Sequence, residues 1–315
     1  MIKVLILSTA FNLHSFIHFL LSTFNNPSTK GSNTFDYRLN KYLNYYAKKL
    51  LLRLGGKMAY RYFIQLAYNG SAFSGWQVQP NAVSVQQWVE KGLLVIAYVK
   101  NGVTGCGRTD AGVHARKFYA HFDSEISYSS EDLAQIVFKL NRFLPQEIVI
   151  FKANPVLPDV HARFTALWRE YEYLIIRYKD PFNFQQAYFE PANIDIDKMN
   201  LCCELLLGRH DFQCFSKVHT QVNNYFCDVQ SARWEVQGHN LKFTIKADRF
   251  LRNMVRAIVG TMLDVGKGKI SLLDFQNVID SHNRCKAGYS VPAKGLTLSD
   301  VGYPESVFAD VPVFF

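Results

Sequence analysis

Between Gly105 and Ala115 the chain reads Gly-Cys-Gly-Arg-Thr-Asp-Ala-Gly-Val-His-Ala, with one arginine and one carboxylate set among three glycines after an apolar, strand-like run. Glycine accepts positive φ and lets another molecule come close, so Asp110 in such a setting is presented rather than packed away. Arg108, two residues earlier, is placed to hold that carboxylate ionised and hydrogen-bonded, ready to act as nucleophile or base at neutral pH. The bland alternative is a tight turn carrying a surface ion pair. Two nucleotide-binding readings fail on spacing. No lysine follows Gly112, as a phosphate-cradling P-loop requires. Asp110 stands where a dinucleotide fingerprint needs its third glycine.

Other chemistry-bearing groups surround this centre in the sequence. His161-Ala162-Arg163-Phe164 precedes Arg169-Glu170-Tyr171-Glu172-Tyr173. Tyr171 and Tyr173 alternate onto one strand face; most such tyrosines are packing, and the functional alternative is a platform for a splayed-out base. Arg249, Arg252 and Arg256 fall at i, i+3 and i+7 of an expected helix and share a face without a nearby acid. Such a stripe suits phosphate contacts as well as it suits a solvated polar face. Lys217 and Lys294 are weaker candidates for the same groove. A zinc site from Cys106, His114 and His121 matches no common ligand spacing, so no metal is expected on those three residues.

These residues need elements to hold them. Strands are expected over Tyr60 to Tyr68, Phe118 to Phe122, Ile148 to Ala153, Glu170 to Tyr178, Arg233 to Gln237, Leu241 to Ala247 and Gly295 to Val301. Helices are expected after capping signals at Ser84, Ser129 and Ser271, and over Asp197 to Leu207 and Phe250 to Val265. Gly92 inside the first helix costs about 1 kcal/mol against alanine. Short connections favour an α+β fold with a largely antiparallel sheet. The natural division is an extension (1–57), an N-terminal half carrying the Asp110 loop (58–158), a C-terminal half (159–304) and a tail (305–315).

The formal charge of +9 over 315 residues suggests a polyanionic partner. Its distribution weakens that inference: residues 1–57 hold eight basic residues against one acid, and the remainder 27 against 25. Nucleic-acid binding must therefore be argued from local clusters. Six cysteines without a C-x-x-C pair suit a reducing compartment, and a cytoplasmic location is expected. The first 24 residues resemble a signal peptide, but Asn12, His14 and His18 interrupt the apolar run, which is also too short and polar for a membrane span. The preferred reading is that Met58 is the true start; an organelle presequence is the rival.

Taken together, the motifs from about Tyr60 to Pro304 resemble the TruA family of tRNA pseudouridine synthases, in bacterial style. The matching pieces are Tyr62 to Gly70, Gly75-Trp76-Gln77, Gly107 to His114, His161 to Phe164 before Tyr171-Glu172-Tyr173, and Phe250 to Gly260. Five pieces in this order are strongly specific. The resemblance implies two α+β halves forming one continuous sheet over a basic cleft, a homodimer, no cofactor, and isomerisation of uridines at positions 38 to 40 of the tRNA anticodon stem-loop. It also implies that Asp110 is the catalytic carboxylate, Arg108 its partner and a guide for the extruded nucleotide, and Tyr171 the residue stacking on the target base. Arg163, Arg249, Arg252, Arg256, Lys217 and Lys294 would contact RNA. Cys106 replaces the family's usual alanine or serine, and the 57-residue extension has no family counterpart. The competing function is a non-catalytic RNA-binding protein or RNA chaperone on the same scaffold.

Overall fold

The computed structural model describes residues 60–217 and 223–308. The expectations for residues 1–57 and for all but the first residues of the tail fall outside them. Within the described residues the strands form a ten-stranded sheet. They are β1 (Tyr60–Tyr68), β2 (Thr104–Gly105), β3 (His114–Ser124), β4 (Ile148–Val156), β5 (Trp168–Ile176), β6 (Tyr188–Phe189), β7 (Gly208–Asp211), β8 (Phe226–Gln237), β9 (Asn240–Ala247) and β10 (Leu296–Gly302). The helices are α1 (Val85–Ala97), α2 (Ser130–Phe143), α3 (Ile196–Glu204), α4 (Met254–Gly266) and α5 (Leu272–Asp280). The strand order is β4-β1-β3-β10-β5-β9-β8-β7, with β2 on β3 and β6 on β5. Only β10–β3 and β5–β6 pair in parallel, so the fold is the expected α+β class.

Local sequence explains the elements. In β1, Tyr62, Ile64, Leu66 and Tyr68 are all buried, as the alternation predicts. Pro155 sits in β4, an edge strand, where a missing N–H costs least. Ser129 and Asp132 form a reciprocal capping box on α2, and Ser271 and Asp274 do so on α5. Gly92 has a packing reason: a Cβ there would lie 2.8 Å from Leu140 Cδ2, so the glycine lets α1 approach α2.

The hydrophobic interior falls into two clusters. One gathers β1, β3, β4, α1 and α2 around Tyr62, Phe118, Phe122 and Leu93. The other gathers β5, β8, β9 and α3 to α5 around Tyr173, Phe243, Ile258 and Phe275. Tyr171 packs against both. The strands of the two groups meet at β10, which pairs with β5 on one side and, through Thr297–His114 and Leu298–Ala115 alone, with β3 on the other. Among the described residues no helix is long and apolar enough to cross a membrane.

Candidate active site

The turn that presents Asp110 is built by closely fitted backbone. Val113 N donates to Asp110 O at 3.1 Å, closing a tight turn whose third residue, Gly112, has φ +77°, a conformation that glycine adopts without strain. Outside it, Gly75 (φ +94°) lies so near that a Cβ would be 2.4 Å from Thr109 O. Trp76 N donates to the same carbonyl at 3.2 Å, and Gly112 N donates to Phe73 O at 3.3 Å. Thr109 is buried, with its hydroxyl 2.9 Å from the Tyr68 hydroxyl. These contacts explain why the Gly75-Trp76-Gln77 loop accompanies the Asp110 loop. Asp110 itself stays half-exposed.

His114 locks the far end of the turn. Its Nδ1 accepts from Gly70 N at 3.0 Å, so Nε2 carries the proton and donates to Lys294 O at 3.1 Å. Burial lowers its pKa and favours this neutral state. His121 accepts from Ala162 N, and Cys106 accepts from Tyr119 N. Cys106 is buried, which pushes its thiol up to about 11. The three residues weighed as a zinc set are thus each engaged with the chain's own backbone.

The cations beside Asp110 come from the other half of the sheet. Arg252 Nε lies 3.6 Å from Asp110 Oδ1, and Arg256 Nη1 lies 3.6 Å from Asp110 Oδ2. Arg256 is further anchored by its Nε, which donates to Val291 O at 2.7 Å. This corrects the expectation that the arginine stripe faces no acid. It also corrects the helix start, because α4 begins at Met254 and places only Arg256 on the helix. Asn253, at φ +69°, lies between the two arginines just before α4, and both approach one carboxylate. Its amide donates to Ser290 Oγ at 2.7 Å. Arg108, expected as Asp110's partner, is exposed, and the ion pairs of Asp110 run to Arg252 and Arg256 instead.

Arg108 belongs to a second group of charges. Burial, and then the guanidiniums of Arg108, Arg169 and Arg249, lower the pKa of Arg163, so these three charges act on Arg163. Arg163 covers the Phe164 ring at 5.6 Å, and Phe164 is 76% exposed. Lys217 donates its backbone N–H to Arg252 O. Lys294 is turned elsewhere, its Nζ donating to Phe184 O at 2.9 Å.

Tyr171 lies at the centre of the sheet, opposite Leu298 of β10 and Ile245 of β9. Its ring meets Phe250 edge-on at 5.0 Å. Burial raises its phenol well above the usual range; the charges of Cys106 and Asp110 add to this and Arg169 opposes it. Tyr173, on the same face, is pure packing: fully buried, with its hydroxyl on Pro292 O at 2.8 Å. Sequence reasoning missed Arg169, whose guanidinium donates to Cys106 O and Asp248 O at 3.0 Å each, to Ala166 O at 3.1 Å, and to Arg163 O. Its one signal was an arginine two residues before Tyr171 with no acid at ion-pair spacing on its own strand face.

The arrangement offers a carboxylate on the first residue of a tight turn, two guanidiniums 3.6 Å from it, a neutral phenol on β5 and further arginines around Arg163. Comparison with known proteins gives this geometry a context. The family described as "tRNA pseudouridine synthase" matches residues 202–304. The tRNA pseudouridine synthase A of Parabacteroides distasonis is 49% identical over 251 residues, covering 79% of this chain and 98% of the relative. That of Bacteroides fragilis is 48% identical with the same coverage. That of Bacillus licheniformis is 39% identical over 242 residues, 76% of this chain and 97% of the relative.

Proposed function

Since the chain belongs to the TruA family of tRNA pseudouridine synthases, isomerases that convert uridine to pseudouridine in tRNA, we propose that Asp110 is its catalytic carboxylate and that its targets are uridines 38 to 40 of the anticodon stem-loop. The observation that carries this reading is the Asp110 carboxylate on the first residue of a fitted turn, with Arg252 and Arg256 both 3.6 Å away. The reaction breaks the N1–C1′ bond, remakes the link as C5–C1′, moves a proton onto N1 and releases the C5 proton. A carboxylate at C1′ or C2′ assists departure of uracil, by adding covalently or by promoting loss of the C2′ proton. No further group need be consumed. The two arginines orient the carboxylate and offset the charge that moves during the step.

A paired uridine hides its reacting edge, so it must be flipped out at a cost of a few kcal/mol. Tyr171 is the stacking partner in this reading, held by Phe250 while leaving the base free to rotate before C5 attacks. Its raised phenol keeps it neutral and able to donate a hydrogen bond. Arg108, exposed beside the turn, guides the extruded nucleotide. Arg163, Arg249 and Lys217 contact phosphates along the rim, and Phe164 adds an aromatic surface there. The two halves divide the labour, 58–158 supplying Asp110 and 159–304 supplying Tyr171 and the flanking arginines. The active unit is a homodimer in the cytoplasm.

Pseudouridine mapping of tRNA incubated with the full chain, beside Asp110→Ala, tests the assignment. Product at positions 38 to 40 from the parent alone, with tRNA binding retained by the variant, is the expected result. Equal product from Asp110→Ala removes Asp110 from the chemistry. Binding without product from both proteins favours a non-catalytic RNA-binding role.

A further inference from the structure

Arg169 stands at the start of β5, in register with Val301 of β10 and Ala247 of β9. Its guanidinium makes four hydrogen bonds, and every acceptor is a backbone carbonyl. Among the described residues, no carboxylate lies within ion-pair distance of it. The four carbonyls come from three separate stretches of chain. Cys106 is four residues before Asp110; Asp248 is four before Arg252 and eight before Arg256; Arg163 and Ala166 belong to the arginine-bearing connector into β5. A planar fork with five N–H groups reaches several acceptors in fixed directions, and bonds from a charged donor are roughly twice as strong as neutral ones.

The 3.6 Å separations between Asp110 and its two arginines depend on how the Cys106 and Asp248 stretches sit relative to each other. Those stretches belong to opposite sides of the β3–β10 junction, which has only two residue pairs. Arg169 bonds directly to both. We propose that Arg169 is a positioning residue for catalysis, a clasp that sets Asp110 against Arg252 and Arg256 without touching the substrate. This rests on Asp110 being the catalytic group. With no acid among the described residues at ion-pair distance, the clasp also adds its charge to the field that acts on Arg163 and Tyr171. A lysine at 169 would keep the charge but lose the fork, since a point donor cannot span three stretches.

The test uses the full chain with Arg169→Lys, Arg169→Ala and Asp110→Ala. The readings are single-turnover pseudouridine formation at saturating tRNA, tRNA dissociation constants and thermal melting. A misplacement near 1 Å slows a reaction by up to about 100-fold, so Arg169→Lys should turn over roughly 10- to 100-fold more slowly. Its tRNA affinity should stay within about threefold of the parent, because the charge at the rim is retained. Guanidinium ion should raise the rate of Arg169→Ala above that in sodium chloride of equal ionic strength, and should leave Asp110→Ala inactive. A parental rate in Arg169→Lys overturns the proposal, as does a loss explained wholly by weaker tRNA binding. Failure of guanidinium to restore a folded Arg169→Ala also overturns it; if that variant does not fold, the lysine variant decides. An active Asp110→Ala would instead unseat the carboxylate assignment, an outcome separable from the Arg169 readings.

Discussion

The two guanidiniums flanking Asp110 are held in different ways. Arg256 is mostly buried and spends its Nε on Val291 O, whereas Arg252 is 59% exposed. The anchored group should matter more, because its position is set before substrate arrives. Arg256→Lys is expected to slow single-turnover product formation by about 10- to 100-fold, and Arg252→Lys by less than about tenfold; equal effects would show that anchoring is irrelevant. His121 yields a prediction about pH. Burial, then the charges of Arg61 and His161, pull its pKa down to about 4, while in the unfolded chain it titrates near ~6.5. Between those values the unfolded chain holds the extra proton, so this residue's contribution is complete above the upper value and is lost as pH falls toward the lower one. Denaturant titrations from pH 7 to 4.5 should show stability falling by up to about 1.4 kcal/mol per pH unit from this site. His121→Asn, whose Oδ1 can still accept from Ala162 N, should flatten the slope.

Helix α4 shows what periodicity alone conveys. The expected face of Arg249, Arg252 and Arg256 assumed unbroken helix from Phe250, but the apolar pattern continued through a residue that is not helical. Asn253 takes a left-handed conformation that costs most residues about 1 to 2 kcal/mol, glycine excepted, and that asparagine tolerates better than most. Asn253→Gly should therefore hold stability within about 1 kcal/mol of the parent, and Asn253→Ala should lose more than the glycine variant, as read by chemical denaturation. Equal losses in both variants, which lack the amide alike, would mean that the Ser290 hydrogen bond, not the backbone, governs this position. Elements with strong local signals were legible from sequence: the capped helices α2 and α5, the alternating β1 and the β8–β9 hairpin. The short strands β2, β6 and β7 were not, since two to four residues carry no periodicity and pair only because longer neighbours offer an edge. Within the site, Asp110 was visible through its glycines. The convergence of Arg252 and Arg256 on it, and the role of Arg169, depend on contacts across more than 60 residues of chain and leave no trace in local spacing.

Charge is distributed unevenly over the whole molecule. Residues 58–315 carry 27 basic and 25 acidic side chains, so the net charge of that stretch supplies little attraction for RNA, and in the proposed reading the arginines around Arg163 provide its share. Each cation that meets a phosphate steepens the salt dependence of binding by about 0.7 to 0.9 in a log–log plot. Arg163→Gln and Arg249→Gln should each flatten the slope for tRNA by about that amount, measured by fluorescence anisotropy; an unchanged slope would place that residue away from the phosphates. The sheet carries a different kind of asymmetry. Its central strand β10 is the last of the described strands in chain order, seated between β3 and β5. A ribosome delivers β3 and β5 long before β10, so each waits with an unpaired edge while synthesis continues, a state prone to wrong association. The turn bearing Asp110 is made early, its arginine neighbours some 140 residues later and the strand that joins the two sides later still. In the proposed reading, catalytic competence is thus among the last properties a nascent chain acquires, and the interval before β10 emerges is when its strand edges are most open to wrong association.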